Sequence, residues 1–260
     1  MAILFDLDGV FYQANQAIAG AADVSRWVKD NAIPHLFLTN TSSKPRSALV
    51  EKLAGFGIDT DETHILTPLV AAVRWLQQNI SAEKISLFVP EKTRAEFSAL
   101  EIAQDDEIVA AVVIGDLGSG WDFATLNRAF QLLMSASKPK LIALGMTRYW
   151  QAEDGLRLDV APFVMALSHA AEVEPLVMGK PALSFYQAAI DILGEPADSI
   201  VMVGDDIRGD VDGAQLAGLK AVLVRTGKFR ERDLELGIKP DAVLDSVVDF
   251  PEWYEKYRTG

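Results

Sequence analysis

Two aspartates, Asp6 and Asp8, close the apolar run at residues 3–12, ILFDLDGVFY, with Gly9 directly behind them. Residues two apart on a strand point the same way, so the pair would project together where the glycine lets the chain turn. Three more apolar runs end in polar groups. HLFLTNTSS ends in Thr39, Asn40, Thr41 and Ser42; LVMGKP delivers Lys180; SIVMVGDDIRGDV ends in Asp205 and Asp206, with Asp210 in the first turn beyond. Taken singly, these read as a solvated turn, an N-cap cluster, a solvated lysine and a helix cap. In an open parallel sheet, however, ligands bind at the carboxyl ends of the strands, and there all four pieces converge.

Charge then limits what the crevice holds. Two carboxylates about 5 Å apart repel by about 3 kcal/mol at an effective dielectric near 20, so three or four together call for a cation. Hard oxygen ligands with no cysteine and no nearby histidine point to Mg²⁺ rather than zinc. Hydroxyls, amides and free backbone N–H groups in a strand-to-helix turn can hold phosphate oxygens. Such a set suits phosphoryl transfer, in which one aspartate attacks phosphorus and another gives and later takes a proton.

The elements that must position these groups alternate short β-branched or apolar runs with longer amphipathic ones, the pattern of a parallel sheet with crossover helices. The spacing predicts strands at 2–6, 35–39 and 176–178, in SIVMVGDD (199–206) and KAVLVRTG (220–227), and at 242–244, with helices near 20–31, 44–54, 182–193 and 210–217. Between these halves lies a block with its own strands (85–90, 108–115, 141–145), a helix at 123–136 and an irregular or hairpin segment at 147–159. Asp154-Gly155 is that segment's expected turn. The fold class expected is α/β: a Rossmann-like three-layer parallel-sheet core, residues 1–68 and 171–260, with a second α/β domain, residues 69–170, inserted into it.

The 260 residues carry a net charge of −13, from 37 acidic and 24 basic side chains. That argues against nucleic acid or an anionic membrane surface as a partner. No cysteine is present, which excludes disulfides, thiolate zinc sites and a cysteine nucleophile. With neither a run of about 18 apolar residues nor a leader pattern at the N-terminus, a cytoplasmic protein is expected.

With these residues in hand, the chain resembles the haloacid dehalogenase-like hydrolase superfamily. Asp6-Leu-Asp8-Gly9 matches its first motif, Thr39-Asn40 its second, Lys180 in GKP its third, and Gly204-Asp205-Asp206 through Asp210 its fourth, in the family's order across nearly the whole chain. An insertion between the second and third motifs is similar to the C2-capped, NagD-like branch. The resemblance implies Asp6 as a nucleophile that becomes an aspartyl phosphate and Asp8 as general acid and base. Thr39 and Asn40 would hold phosphate, and Lys180 would neutralise nucleophile and phosphate. Mg²⁺ would sit on Asp6, the Asp8 main-chain carbonyl and Asp205, while Asp210, and less strongly Asp206, would support that layer from behind. Some animal members carry serine at the position of Asp8; the aspartate here keeps the ordinary phosphatase pattern.

The implied substrate is a small phosphorylated metabolite or pyrophosphate. A phospholigand-binding regulatory protein with little turnover and a phosphotransferase using the same nucleophile are the alternatives. A receiver-type signalling domain fails on chain order, and a dehalogenase would not need the acidic cluster at Asp205. The cap offers a surface that could form a homodimer. Arg148, Tyr149, Trp150 and Arg157 lie in or beside the 147–159 segment, where an arginine could recognise a second anionic group or the aromatics could simply pack the cap. His35, His64 and His169 read as isolated, the methionines as core filler, and KFRERDLE at 228–235 as a solvated segment.

Overall fold

The computed structural model describes residues 1–80, 83–104, 107–152 and 155–259. The chain forms two compact units, one of residues 1–39, 46–66 and 180–260 and one of residues 40–45 and 67–179.

The strand Ala2–Asp6 is buried at all five positions, as its near-continuous apolar sequence demands of a parallel strand covered on both faces. It lies inside a six-stranded parallel sheet in the order Ala242–Leu244, Lys220–Val224, Ile200–Gly204, Ala2–Asp6, His35–Leu38, Ile65–Leu66. One side packs an aromatic cluster in which Phe5 meets Phe11, Phe37 and Phe250 at ring separations of 5.3, 6.1 and 5.6 Å. Each fully buried ring contributes roughly 1.5–3 kcal/mol. The helix Ala21–Asp30 turns Ala21, Val24, Ser25 and Val28 inward, the 3–4 spacing of an amphipathic helix. Gly194, at φ 67°, ends the helix Leu183–Leu193, a left-handed position that suits a residue without Cβ.

The second unit has its own parallel sheet, Leu176–Val177, Lys140–Ala143, Ala111–Ile114, Ile85–Phe88. An antiparallel pair, Tyr149–Ala152 with Gly155–Leu158, accompanies it; Asp154 of the expected turn lies outside the described residues. Here one strand departs from the sequence expectation. The 176–178 run, placed with the first sheet, pairs with Ile142 and Ala143 of the second. A short apolar strand carries no mark of which sheet it joins, and only register with a neighbour settles that.

The histidines differ too. His35 begins one strand and His64 directly precedes another, and the parallel register Phe37↔Ile65 sets them side by side with rings stacked 5.0 Å apart. His64 also meets Asp61 at 3.1 Å. Two of the three are therefore not isolated; a separation of 29 positions hides a contact made by strand pairing. Burial, with the His64 ring adding, holds the His35 imidazole below its ordinary 6.5. The unfolded chain then binds more protons than the folded one as pH falls below that value, so this contribution is present above it and lost through the folded value. Melting temperature should drop more between pH 7.5 and 5.5 in the wild type than in His35→Gln, and equal drops would refute the assignment.

Candidate active site

Strand register builds the site. Asp6 pairs with Leu38 and Phe5 with Val203, so Asp6, Thr39 and Asp205 reach the same carboxyl edge from three adjacent strands. All three are buried. The strand stops at Asp6, so Asp8 does not continue the pleat expected from the sequence. It sits in the following loop with its side chain exposed, while Gly9, at φ 94°, donates its N–H to the Tyr12 carbonyl at 2.7 Å.

Lys180 reaches this edge from the residue just before Pro181. Its Nζ lies 2.7 Å from an Asp6 oxygen and 2.6 Å from Asp210 Oδ1, with all three side chains buried. Burial alone would lower the ammonium's pKa, but Asp210 and Asp6 outweigh it and hold the group above its ordinary value. Asp210 spends its other oxygen, Oδ2, on the backbone N–H groups of Asp205 and Asp206, at 3.1 and 3.0 Å. Residues Ile207–Asp212 accordingly wind as a π-helical turn before the short helix Gly213–Leu216, where the sequence predicts one helix near 210–217. The wider turn draws the Asp210 carboxylate back under the strand end, and such turns recur at functional sites. Tyr186 fixes it from below, its hydroxyl donating to the Gly209 carbonyl at 2.7 Å. Asp206 caps the same turn, accepting from Arg208 and Gly209 N–H groups at 3.0 and 2.9 Å.

Asp205 is the anomaly. Its Oδ2 accepts the Lys228 backbone N–H at 2.6 Å, but its Oδ1 is buried with no hydrogen-bond partner. Burial first, then the charges of Asp6 and Asp210, push its pKa up to about 8. Oxygens of Asp6, Asp205 and Asp210 lie within 4.8 Å of one another. A stranded carboxylate oxygen in an all-oxygen cluster fits a hard cation, since burying unpaired charge is costly. Both Asp210 oxygens are already engaged, so Asp6 and Asp205 are the members of the trio that could hold one.

The sequence reading missed Lys228. KFRERDLE reads as a solvated segment, yet the backbone N–H of its first residue donates to Asp205, and that residue's Nζ approaches Asp206 at 3.5 Å. The signal was present: RTGK follows the strand KAVLV, next in the sheet, at the same edge. Asn40 falls in the second unit, where a Cβ on Gly179 would meet its Oδ1 at 3.0 Å. Also in that unit, Tyr149 and Trp150 are 50% and 43% exposed, too open to be core, and Arg148 lies 5.7 Å from the Tyr149 ring centre.

Comparison with known proteins adds the family. A haloacid dehalogenase-like hydrolase profile matches residues 3–103, and a HAD-hydrolase-like profile matches residues 177–250. The human phospholysine phosphohistidine inorganic pyrophosphate phosphatase is 37% identical over 251 residues, covering 95% of this chain and 90% of that protein. The chain belongs to the haloacid dehalogenase-like hydrolases. A structure from Archaeoglobus fulgidus, described as a p-nitrophenyl phosphatase, superposes with a TM-score of 0.88 at 28% identity, covering 97% of this chain and 98% of that one. NagD from Escherichia coli K-12 shares the fold at a TM-score of 0.85 and 21% identity, covering 95% and 97%. No helix among the described residues is long and apolar enough to cross a membrane.

Proposed function

We propose that this hydrolase is a Mg²⁺-dependent phosphatase that cleaves a small phosphorylated molecule or pyrophosphate through an aspartyl phosphate on Asp6. The observation that carries the reading is the buried Asp6–Lys180–Asp210 ion chain beside the unpartnered Asp205 Oδ1. The names of the human and archaeal relatives support the same class.

Lys180 holds the Asp6 carboxylate in place and offsets its charge as it meets an anionic phosphate. An Asp6 oxygen attacks phosphorus, and the bond to the leaving oxygen breaks while Asp8 supplies that oxygen's proton. Asp8 then accepts a proton from the water that attacks phosphorus, and phosphate leaves with Asp6 restored. The exposed position of Asp8 suits a group that must exchange protons with solvent. Thr39, buried at the same strand edge as Asp6, binds phosphate oxygens. Asp6, Asp205 and the Asp8 main-chain carbonyl would hold Mg²⁺, which when bound offsets carboxylate and phosphate charge. Asp210 and Asp206 shape the turn behind them.

Hydrolysis of p-nitrophenyl phosphate with and without Mg²⁺, beside a panel of phosphate esters, phosphoamidates and pyrophosphate, tests this. Metal-dependent release of phosphate is expected. No turnover of any panel member by folded, Mg²⁺-loaded protein would overturn the proposal in favour of a binding role.

A further inference from the structure

Two loops close on Asp205 with no room to spare. A Cβ on Gly9 or on Gly227 would lie 1.9 Å from Asp205 Oδ2, and one on Gly227 would also lie 2.6 Å from the Gly9 Cα. Both glycines have positive φ, 94° and 64°, so each position disfavours a side chain for conformation as well as space. The Thr226 hydroxyl donates to the Gly9 carbonyl, tying the loop after Lys220–Val224 to the loop after Ala2–Asp6. The Lys228 N–H takes Asp205 Oδ2 at 2.6 Å. The remaining oxygen, Oδ1, is buried and unpartnered.

We infer that the Thr226–Gly227–Lys228 turn is a positioning device that fixes Asp205 with one oxygen occupied and the other presented to a divalent cation. The inference rests on the Mg²⁺-dependent reading above. The turn touches no reacting atom; it acts through Asp205. A neutral backbone donor is well suited to the task, because it orients the carboxylate and leaves its charge for the metal. A lysine side chain in the same place would compete with the cation. Partners of this kind behind metal ligands typically set affinity by about 10- to 100-fold.

Mg²⁺ binding to the full chain, measured by isothermal titration calorimetry, tests it alongside turnover. Gly227→Ala should weaken Mg²⁺ binding by about 10- to 100-fold and raise the Mg²⁺ concentration for half-maximal rate in parallel, with kcat at saturating Mg²⁺ changed far less. Thr226→Val should weaken binding in the same direction, and Thr226→Ser, which keeps the hydroxyl, should restore it. Lys228→Ala keeps the backbone donor and should bind Mg²⁺ no more weakly than wild type. If Gly227→Ala does not fold, the Thr226 pair decides alone. Wild-type affinity in Thr226→Val and in any folded Gly227→Ala overturns the inference and leaves the phosphatase reading intact. Equal weakening in Lys228→Ala also overturns it, because the side chain would then be the cause. Wild-type protein that binds no Mg²⁺ overturns both.

Discussion

Asp6→Asn should abolish turnover of p-nitrophenyl phosphate, by about 10⁴-fold or more, in a protein that still folds. The size follows from the proposed role of Asp6 as nucleophile: an amide is a poor nucleophile toward phosphorus, and neither Asp205 nor Asp210 can replace it. Asp205 has one oxygen on the Lys228 N–H, and Asp210 is bound to Lys180 and to two backbone N–H groups. Folding survives because asparagine matches aspartate in shape, its carbonyl oxygen can still accept from Lys180, and Lys180 keeps Asp210 at 2.6 Å. Steady-state rates and a thermal melt on the same sample check both parts. Activity within about tenfold of wild type would place the nucleophile elsewhere and remove the basis of the mechanism.

Lys180→Met should have the largest effect on stability. The substitution keeps an apolar stem of similar length but leaves Asp6, Asp205 and Asp210 crowded within 4.8 Å with no buried cation between them. Removing one partner of a buried ion pair costs about 3–5 kcal/mol. At roughly 2–4 °C per kcal/mol for a domain of this size, the metal-free melting temperature should fall by about 6–20 °C. Added Mg²⁺ should recover part of the loss by supplying charge of the missing sign. Melting at the wild-type temperature without metal would show that Lys180 does not neutralise the cluster.

The two variants probe one design from opposite sides. Lys180 lies between Asp6 and Asp210, while Asp205 meets no ammonium or guanidinium group within salt-bridge distance among the described residues. Its raised pKa reflects that exclusion, since burial and two neighbouring carboxylates all oppose its charge. A fold that strands one carboxylate oxygen in this way gives up stability in the metal-free state, and a bound cation returns it by mass action.

Much of this is legible in the sequence. Asp6, Lys180, Asp205 and Asp210 each stand at or just beyond a strand end that apolar β-branched runs announce, and the fold class follows from the alternation of short and long periodic segments. The strand ends at Asp6, so the period-2 rule that pairs Asp6 with Asp8 in the sequence does not reach Asp8, which lies in the following turn. The helix expected near 210–217 begins earlier, as a π-helical turn, because Asp210 bonds back to the N–H groups of Asp205 and Asp206. Periodicity carries no signal for that bond.

What the sequence by itself determined is the set of chemical groups, the strand ends that carry them and the family to which they belong, because local propensity and motif order are properties of neighbours along the chain. Only the tertiary structure decided that Leu176–Val177 joins the second sheet, that His35 stacks on His64, and that the Thr226–Gly227–Lys228 turn closes on Asp205. Each of these is a contact between distant segments, fixed by strand register and by the space two glycines leave; RTGK after KAVLV marks the sheet edge the turn occupies, but not the carboxylate it closes on.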